Sequence, residues 1–163
     1  MFIKFSVSNF LSFYKKQEFS MLSGATKLKS NHIINNNELK LLKFSSIYGA
    51  NGAGKTNIIK AIDFAKLIIL FGIESDCSNL YCRIKEKYKN DDSVFEFTFS
   101  INNKIFKYGF SVNLFLNSLR KEWLYEINNN DLVKIFTRNS KEDIILNEDY
   151  FGNEIIERLK MYA

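Results

Sequence analysis

One eight-residue stretch limits what this chain can fold into more than any other feature. It runs from Gly49 to Thr56, reads GANGAGKT and fits the pattern G-x-x-x-x-G-K-[ST]. Its glycines allow a tight turn in which successive backbone N–H groups point inward at phosphate oxygens. Lys55 adds a positive charge, and the hydroxyl of Thr56 suits a magnesium ion that shares the phosphates. The stretch predicts a binding site for a nucleoside triphosphate and Mg²⁺.

The flanks of this phosphate loop predict the strand and the helix that such a loop requires. The upstream residues predict a short, mostly apolar, buried strand: Leu41, Leu42, Phe44, Ser46, Ile47 and Tyr48. Downstream, Asn57 to Phe71 predicts a helix that ends at a left-handed Gly72. Its predicted apolar stripe is Ile58, Ile59, Ile62, Ala65 and Ile69. The first turn of that helix would point its unpaired N–H groups and positive dipole end at the phosphates.

Elsewhere a period of two predicts strands. The predicted pairs are Phe2–Phe10 with Ser12–Met21, Val94–Ser100 with Ile105–Ser111 around Asn102 and Asn103, and Leu119–Ile127 with Leu132–Thr137. Residues 22–40 predict an irregular segment, residues 73–92 a loop with a short helix, and residues 153–163 the start of a helix. We expect a single nucleotide-binding lobe over 1–163, with a β-hairpin at 1–21, a phosphate-loop unit at 41–72 and an antiparallel β region at 93–147.

Bulk properties exclude several classes of protein. The 163 residues carry a formal charge of +5, which permits anionic partners without requiring them. No signal peptide and no apolar run of spanning length is present, so we expect a cytoplasmic protein with no membrane partner. Cys77, Cys82 and His32 are too few for a disulfide framework or a four-ligand zinc site.

The chain resembles the branch of ABC-class ATPases related to SMC, RecF and OLD proteins, especially bacterial AAA-family proteins of abortive infection and phage defence. The resemblance is carried by FSVSNFLSF at Phe5–Phe13 and by Leu41–Gly72, with weaker matches at Phe95–Phe99, Lys107–Phe110, Glu122–Leu124 and Ile135–Arg138. It implies an α/β fold: a P-loop NTPase, the N-terminal part of an ABC/SMC-like ATPase head, with a mixed sheet and an antiparallel β-subdomain.

The resemblance also implies that Ser12 lies close to the nucleotide and Asn51 close to the γ-phosphate, whereas Leu11 stands where the family commonly has an arginine. The expected cofactors are ATP and Mg²⁺, with Thr56 as the metal ligand. The full set of expected cofactor-binding residues is Gly49, Asn51, Gly52, Ala53, Gly54, Lys55, Thr56, Asn57 and Ser12.

Several parts of an ABC-class site do not follow the phosphate loop. There is no Gln loop, no Leu-Ser-Gly-Gly signature, no Walker B and no switch histidine in order. LSGA at 22–25 precedes the loop and predicts a turn, and IILNED at 144–149 has Asn147 where an aspartate belongs, so it predicts a short strand. No catalytic residue is assigned. We expect the N-terminal lobe of a longer ATPase, which alone binds ATP weakly and does not hydrolyse it.

The resemblance implies paired, homodimeric heads in the parent protein, coupled to DNA, RNA or a nuclease effector. Two alternatives stay open: a stand-alone nucleotide-binding module without hydrolysis, and a basic nucleic-acid-binding protein that uses Phe13–Lys16 and Lys85–Lys89. Glu122 and Arg138 fit the weak family pattern, but a structural salt bridge or an exposed strand-end ion is the preferred interpretation.

Overall fold

The computed structural model describes residues 1–24, 30–36, 39–73, 75–129, 131–140, 142–152 and 155–158. Its strands are β1 (Phe2–Ser8), β2 (Gln17–Ser20), β3 (Ile33–Asn36), β4 (Leu39–Leu42), β5 (Ser93–Ile101), β6 (Lys104–Asn113), β7 (Ser118–Asn128), β8 (Asp131–Asn139) and β9 (Glu142–Leu146). One long helix, α1, spans Lys55–Phe71, a 3-10 turn spans Glu86–Asn90, and residues 155–158 are helical.

Seven of these strands form one sheet in the order β2-β1-β5-β6-β7-β8-β9. Every pairing between the described strands is antiparallel. The predicted alternating strands are confirmed in β5 and β6, which are joined at Asn102 and Asn103 with φ values of 48° and 65°. Asparagine tolerates this left-handed conformation better than most residues, which explains the tight hairpin.

The core lies between this sheet and α1. Phe95 is fully buried and contacts three other rings: Phe110 at a centroid distance of 5.2 Å, Phe10 at 5.4 Å and Phe64 at 5.5 Å. Phe64 lies on α1, and the same helix buries Ala61 and Ala65 completely in this core. One face of α1 thus covers the aromatic layer of the sheet.

The strand predicted directly before the phosphate loop is wrong for most of its length. Leu41 and Leu42 belong to β4, which pairs with β3, and residues 44–50 have no regular structure. Tyr48 is 89% exposed and Phe44 62%. Among the described strands none pairs with this segment, and a lone strand without neighbours is not stable in water. The irregular segment predicted at 22–40 is also partly wrong, because it contains β3 and the start of β4.

The apolar stripe predicted for α1 is only partly correct. Ile58 is buried, but Ile59 and Ile69 are 51% and 44% exposed, and Ala61 takes a buried position that the prediction omitted. The helix carries apolar residues on more than one face, and the sheet covers only one of them. α1 ends as predicted at Gly72, whose N–H donates to the Ile68 carbonyl and whose φ is +75°.

Candidate functional site

The phosphate loop leads directly into α1. Gly54 is the N-cap residue, with φ +89°, and Lys55 is the first helical residue. Gly52 also has a positive φ, and the Ala53 N–H donates to the Ala50 carbonyl at 3.2 Å, which closes a tight turn. This is the conformation that glycine allows and that brings backbone N–H groups to the start of a helix.

Lys55 lies across this loop. Its Nζ donates to the carbonyl oxygens of Gly49 at 2.8 Å and of Ala50 at 2.7 Å. The ammonium group is therefore held above the loop that is predicted from the sequence to bind phosphate. Thr56 is exposed in the first turn of α1, and Asn51 is exposed at the tip of the loop. The structure thus brings together all eight loop and helix residues of the expected set, Gly49, Asn51, Gly52, Ala53, Gly54, Lys55, Thr56 and Asn57.

Ser12 reaches the same place from the far end of the sequence. The Asn57 Nδ2 donates to the Ser12 Oγ at 2.8 Å. A Cβ built on Gly54 would lie 2.9 Å from the ring of Phe13 and 3.3 Å from the Ser12 hydroxyl. Only glycine therefore fits at position 54, because the turn that follows β1 packs directly against the phosphate loop.

Asn9 fixes that turn and was not assigned a role from the sequence. It is 2% exposed, with φ +50°. Its Nδ2 donates to the carbonyl oxygens of Tyr88 at 3.0 Å and Asp91 at 2.9 Å, and its Oδ1 accepts from the Cys82 N–H at 3.2 Å. One buried side chain thereby joins the turn at 9–13 to the loop at 82–91. The only sequence signal is the asparagine in NFLSF, whose partners are too distant in sequence to be read from it.

A loop from Asn79 to Ile84 lies beside the turn and the start of α1. The Leu11 N–H donates to the Leu80 carbonyl at 2.7 Å. Between these parts is an open cavity of about 340 Å³, whose lining includes Ser12, Asn57 and Arg83. Sequence analysis did not identify Arg83 as a residue of this site.

Glu122 and Arg138 lie far along the sheet on directly paired positions of β7 and β8. The Arg138 Nη2 is 2.7 Å from the Glu122 Oε2, and the Tyr108 hydroxyl donates to the Glu122 Oε1 at 2.6 Å. Burial and this hydrogen bond raise the pKa of Tyr108 far above its ordinary value. The arrangement is a cross-strand salt bridge, which agrees with the structural interpretation of both residues.

The two motif-like stretches that the sequence analysis discounted are ordinary structure. Leu22 forms an isolated bridge with Leu41, and the Ser23 N–H donates to the Lys40 carbonyl. Residues 144–146 belong to β9, and the Asn147 side chain bonds the Lys134 carbonyl and the Asp149 N–H, at 2.8 and 3.0 Å. Ala25 lies outside the described residues.

The two basic aromatic stretches meet in the structure. The ring of Tyr14 stacks on the ring of Tyr88 at a centroid distance of 3.6 Å, and Tyr88 is only 7% exposed. Lys16 pairs with Glu96 at 3.2 Å and Lys89 with Glu86 at 2.9 Å. The two tyrosine rings therefore stack on each other, and the carboxylates of Glu96 and Glu86 neutralise part of the positive charge of the two stretches.

Cys77 and Cys82 are buried free thiols. Burial raises the pKa of the Cys77 thiol, whose Sγ donates to the Asn117 Oδ1 at 2.9 Å. Within the described ranges, no group of three or more His, Cys, Asp or Glu residues is arranged to hold a metal ion. None of the helices in the described part of the chain has the length and apolarity needed to cross a membrane.

The comparisons with known proteins identify the family. No curated protein matches the chain. The family model for an AAA domain of the AbiEii toxin type, Type IV TA system, matches residues 44–161, so it begins just before the phosphate loop and covers most of the chain. AAA domains are P-loop NTPases, which supports nucleotide binding in general, and they generally bind ATP with Mg²⁺. The chain belongs to this family of AAA domains, ATPases of the abortive-infection, phage-defence type.

Proposed function

We propose that this chain is the ATP-binding N-terminal lobe of an SMC/RecF-like ATPase of phage defence, and that its phosphate loop is a Walker A motif that binds ATP–Mg²⁺. The observation that carries the proposal is the position of Lys55. Its ammonium group is held over the loop by two backbone carbonyls, at the first residue of α1. A cation, a helix N-terminus and inward N–H groups converge there, as a triphosphate requires.

The roles of the individual residues follow from their chemistry. Lys55 would hold the β- and γ-phosphates, and backbone N–H groups from Gly52 to Thr56 would surround them. The Thr56 hydroxyl, exposed in the first turn, would be a magnesium ligand. Asn51, at the tip of the loop, would lie close to the γ-phosphate. Bound Mg²⁺ would neutralise phosphate charge, while the residues of this chain would position the triphosphate.

The catalytic half of the site belongs to a second lobe in this proposal. Hydrolysis requires a group that orients or activates water, and the chain has no Walker B or signature motif in order. Two surfaces are apolar and lack a cover in the described chain: the segment at 44–48, and the outer face of α1 with Leu67, Leu70 and Phe71, which are 54–59% exposed. A helix that is apolar on several faces is normally buried on several faces, which supports a further layer here.

In the assembled parent, two such heads would sandwich ATP, and their closure would control a nuclease or a nucleic acid. This step rests on the resemblance alone.

ATP binding to the 163-residue chain tests the first part of the proposal. Isothermal titration with ATP and Mg²⁺ should give saturable binding, and Lys55→Ala should weaken it at least tenfold, since a charge-assisted hydrogen bond contributes about 1.5–3 kcal/mol. Thr56→Ala should reduce the affinity in Mg²⁺ to that measured with EDTA. Lys60→Ala, an exposed lysine one turn further along α1, is the matched control and should leave the affinity unchanged.

Phosphate release tests the second part. We expect no turnover above the buffer rate with saturating ATP and Mg²⁺. Robust turnover that disappears in Lys55→Ala would show that the chain contains a complete catalytic site, and the two-lobe proposal would then be wrong.

A further inference from the structure

The cavity beside the phosphate loop has the features of a binding site for the nucleoside part of a nucleotide. Its volume of about 340 Å³ is at the lower end of the range of about 300–1,000 Å³ that is usual for small-molecule sites. It is bounded by three parts of the chain: the turn after β1, the first turn of α1 and the loop at 79–84.

The cavity adjoins the phosphate site at the first turn of α1. Asn57, two residues after Lys55, lines it, and so does Ser12, which accepts a hydrogen bond from Asn57 at 2.8 Å. A nucleotide whose terminal phosphates lie in the loop must place its base and ribose to one side of it. The cavity with Ser12 and Asn57 offers a concave surface on one such side.

The walls combine apolar, aromatic and hydrogen-bonding groups. Leu11, Ile84 and the ring of Tyr81 supply the apolar part, and Asn79 adds an amide. The ring of Tyr81 lies nearly perpendicular to the ring of Phe115, with centroids 6.3 Å apart, and it is only partly buried where it lines the cavity. A flat heteroaromatic base with polar edges matches this combination.

Arg83 is the one charged residue among those that line the cavity. It is exposed and makes no ion pair with any described residue, whereas Arg120 pairs with Asp92 and Arg138 with Glu122. A guanidinium group can donate hydrogen bonds to the acceptor atoms on the edge of a base.

The loop that carries these two residues is fixed on both sides of Tyr81. The Leu80 carbonyl accepts from the Leu11 N–H at 2.7 Å, and the Cys82 N–H donates to the Asn9 Oδ1 at 3.2 Å. Residues 80 and 82 are thus held against the turn while Tyr81 and Arg83 line the cavity. A site held in this way loses little conformational entropy when it binds.

We propose that Tyr81 and Arg83 form the base-binding subsite of the phosphate loop, in which the base stacks on Tyr81 and the Arg83 guanidinium binds its edge. This rests on the proposed function, because it assumes that the loop holds the phosphates of the same ligand.

Comparing ATP with inorganic tripolyphosphate separates the two parts of the site. Both ligands offer phosphates to Lys55, but only ATP has a base. Isothermal titration in Mg²⁺ should show that Arg83→Ala and Tyr81→Leu each weaken ATP binding about tenfold, the scale of base stacking on an aromatic ring. Tripolyphosphate affinity should stay within about twofold of the unchanged chain. Lys85→Ala, which removes a nearby exposed charge outside the cavity, is the matched control and should change neither affinity.

Each outcome decides a different point. If Lys55→Ala weakens both ligands while the cavity variants weaken only ATP, the subsite is established. If Arg83→Ala leaves ATP binding unchanged, or weakens tripolyphosphate as much as ATP, the subsite is wrong and the phosphate loop stands alone. If the unchanged chain binds neither ligand, the proposed function fails and the subsite with it. Thermal unfolding of each variant identifies any loss that arises from misfolding.

Discussion

The antiparallel sheet and the phosphate-loop unit differ in how far each is completed within this chain. In the sheet, each of β5, β6 and β7 has a hydrogen-bonded neighbour on both sides, and the apolar face meets α1. Around the phosphate loop, the segment at 44–48 has no strand partner in the described chain, and one face of α1 remains open.

The difference shows that two similar hydrophobic patterns need different partner strands before they can form a stable sheet. The period-two pattern of β5 and β6 is satisfied by a hairpin partner a few residues away. The apolar run before the phosphate loop has no such neighbour in the chain. It can form a strand only beside strands that are distant in sequence. The free energy of unfolding should therefore depend on contacts within the sheet and hardly at all on the open surfaces.

The largest effect is expected in the aromatic core. Phe95→Ala should lower the free energy of unfolding by about 3–5 kcal/mol, because a fully buried ring with three aromatic neighbours is replaced by a cavity. Phe71→Ala, which removes a ring that is 59% exposed at the end of α1, is the matched control and should change it by less than about 0.5 kcal/mol. Urea unfolding measures both. Equal losses would show that the outer face of α1 is packed within this chain.

Asn9 should give the next largest effect, because its side chain joins the turn that packs on the phosphate loop to the loop at 82–91. Asn9→Gly keeps the positive φ accessible but removes three hydrogen bonds to buried or partly buried groups, so we expect a loss of about 3 kcal/mol. Asn102→Gly changes a residue with nearly the same φ in an exposed hairpin turn and should be neutral or slightly stabilising. A neutral result for Asn9→Gly in urea unfolding would mean that the loop at 82–91 is held by other contacts.

A smaller, pH-dependent effect is expected at Glu126 in β7. Its carboxylate is 3% exposed and accepts hydrogen bonds from the Tyr150 hydroxyl at 2.5 Å and the Lys104 Nζ at 3.1 Å. The hydrogen bond that Tyr150 donates, together with the hydrogen bond and positive charge of Lys104, holds the pKa of Glu126 below its ordinary value. The folded state then binds protons less readily than the unfolded state. The Glu126 carboxylate therefore makes its full contribution to the free energy of unfolding above the ordinary carboxyl pKa, and this contribution is lost as the pH falls through the lowered pKa.

Glu126→Gln should make the loss of stability between pH 7 and pH 3 smaller than in the unchanged chain, because the carboxylate that titrates there is gone. Thermal unfolding from pH 7 down to pH 3 measures it. Glu18→Gln, which disrupts an exposed pair with Lys4, is the control and should keep the acid slope of the unchanged chain. If Glu126→Gln has the same slope as well, the carboxylate contributes nothing to acid unfolding.

The smallest effect is expected in the segment before the phosphate loop. Tyr48→Ser should alter the free energy of unfolding by less than about 0.5 kcal/mol, since the side chain is 89% exposed. Urea unfolding provides the measurement. A loss above 1 kcal/mol would show that the segment packs in solution, and the contrast between the two regions would then be smaller than the structure indicates.

What the sequence could and could not predict depends on how far apart in the chain the contacting residues lie. The hairpin of β5 and β6 and the GANGAGKT loop were predictable because their geometry depends on neighbouring residues. The strand before the loop was predicted wrongly, since an apolar run does not specify which strands will flank it. Asn9, Tyr81 and Arg83 could not be assigned, because their positions depend on contacts between the turn at 9–13 and a loop about 70 residues away.

The two carbonyl contacts of Lys55 use two of the three N–H donors of its ammonium group. The third donor is left for a phosphate oxygen, while the oxygens of Gly49 and Ala50 keep the charge in place. A side chain that is already held loses little rotamer freedom when a ligand binds, so the loop acts as a preformed cation site. A polyphosphate chain should bind more tightly than inorganic phosphate, because it meets the fixed charge, the helix N-terminus and the loop N–H groups at the same time.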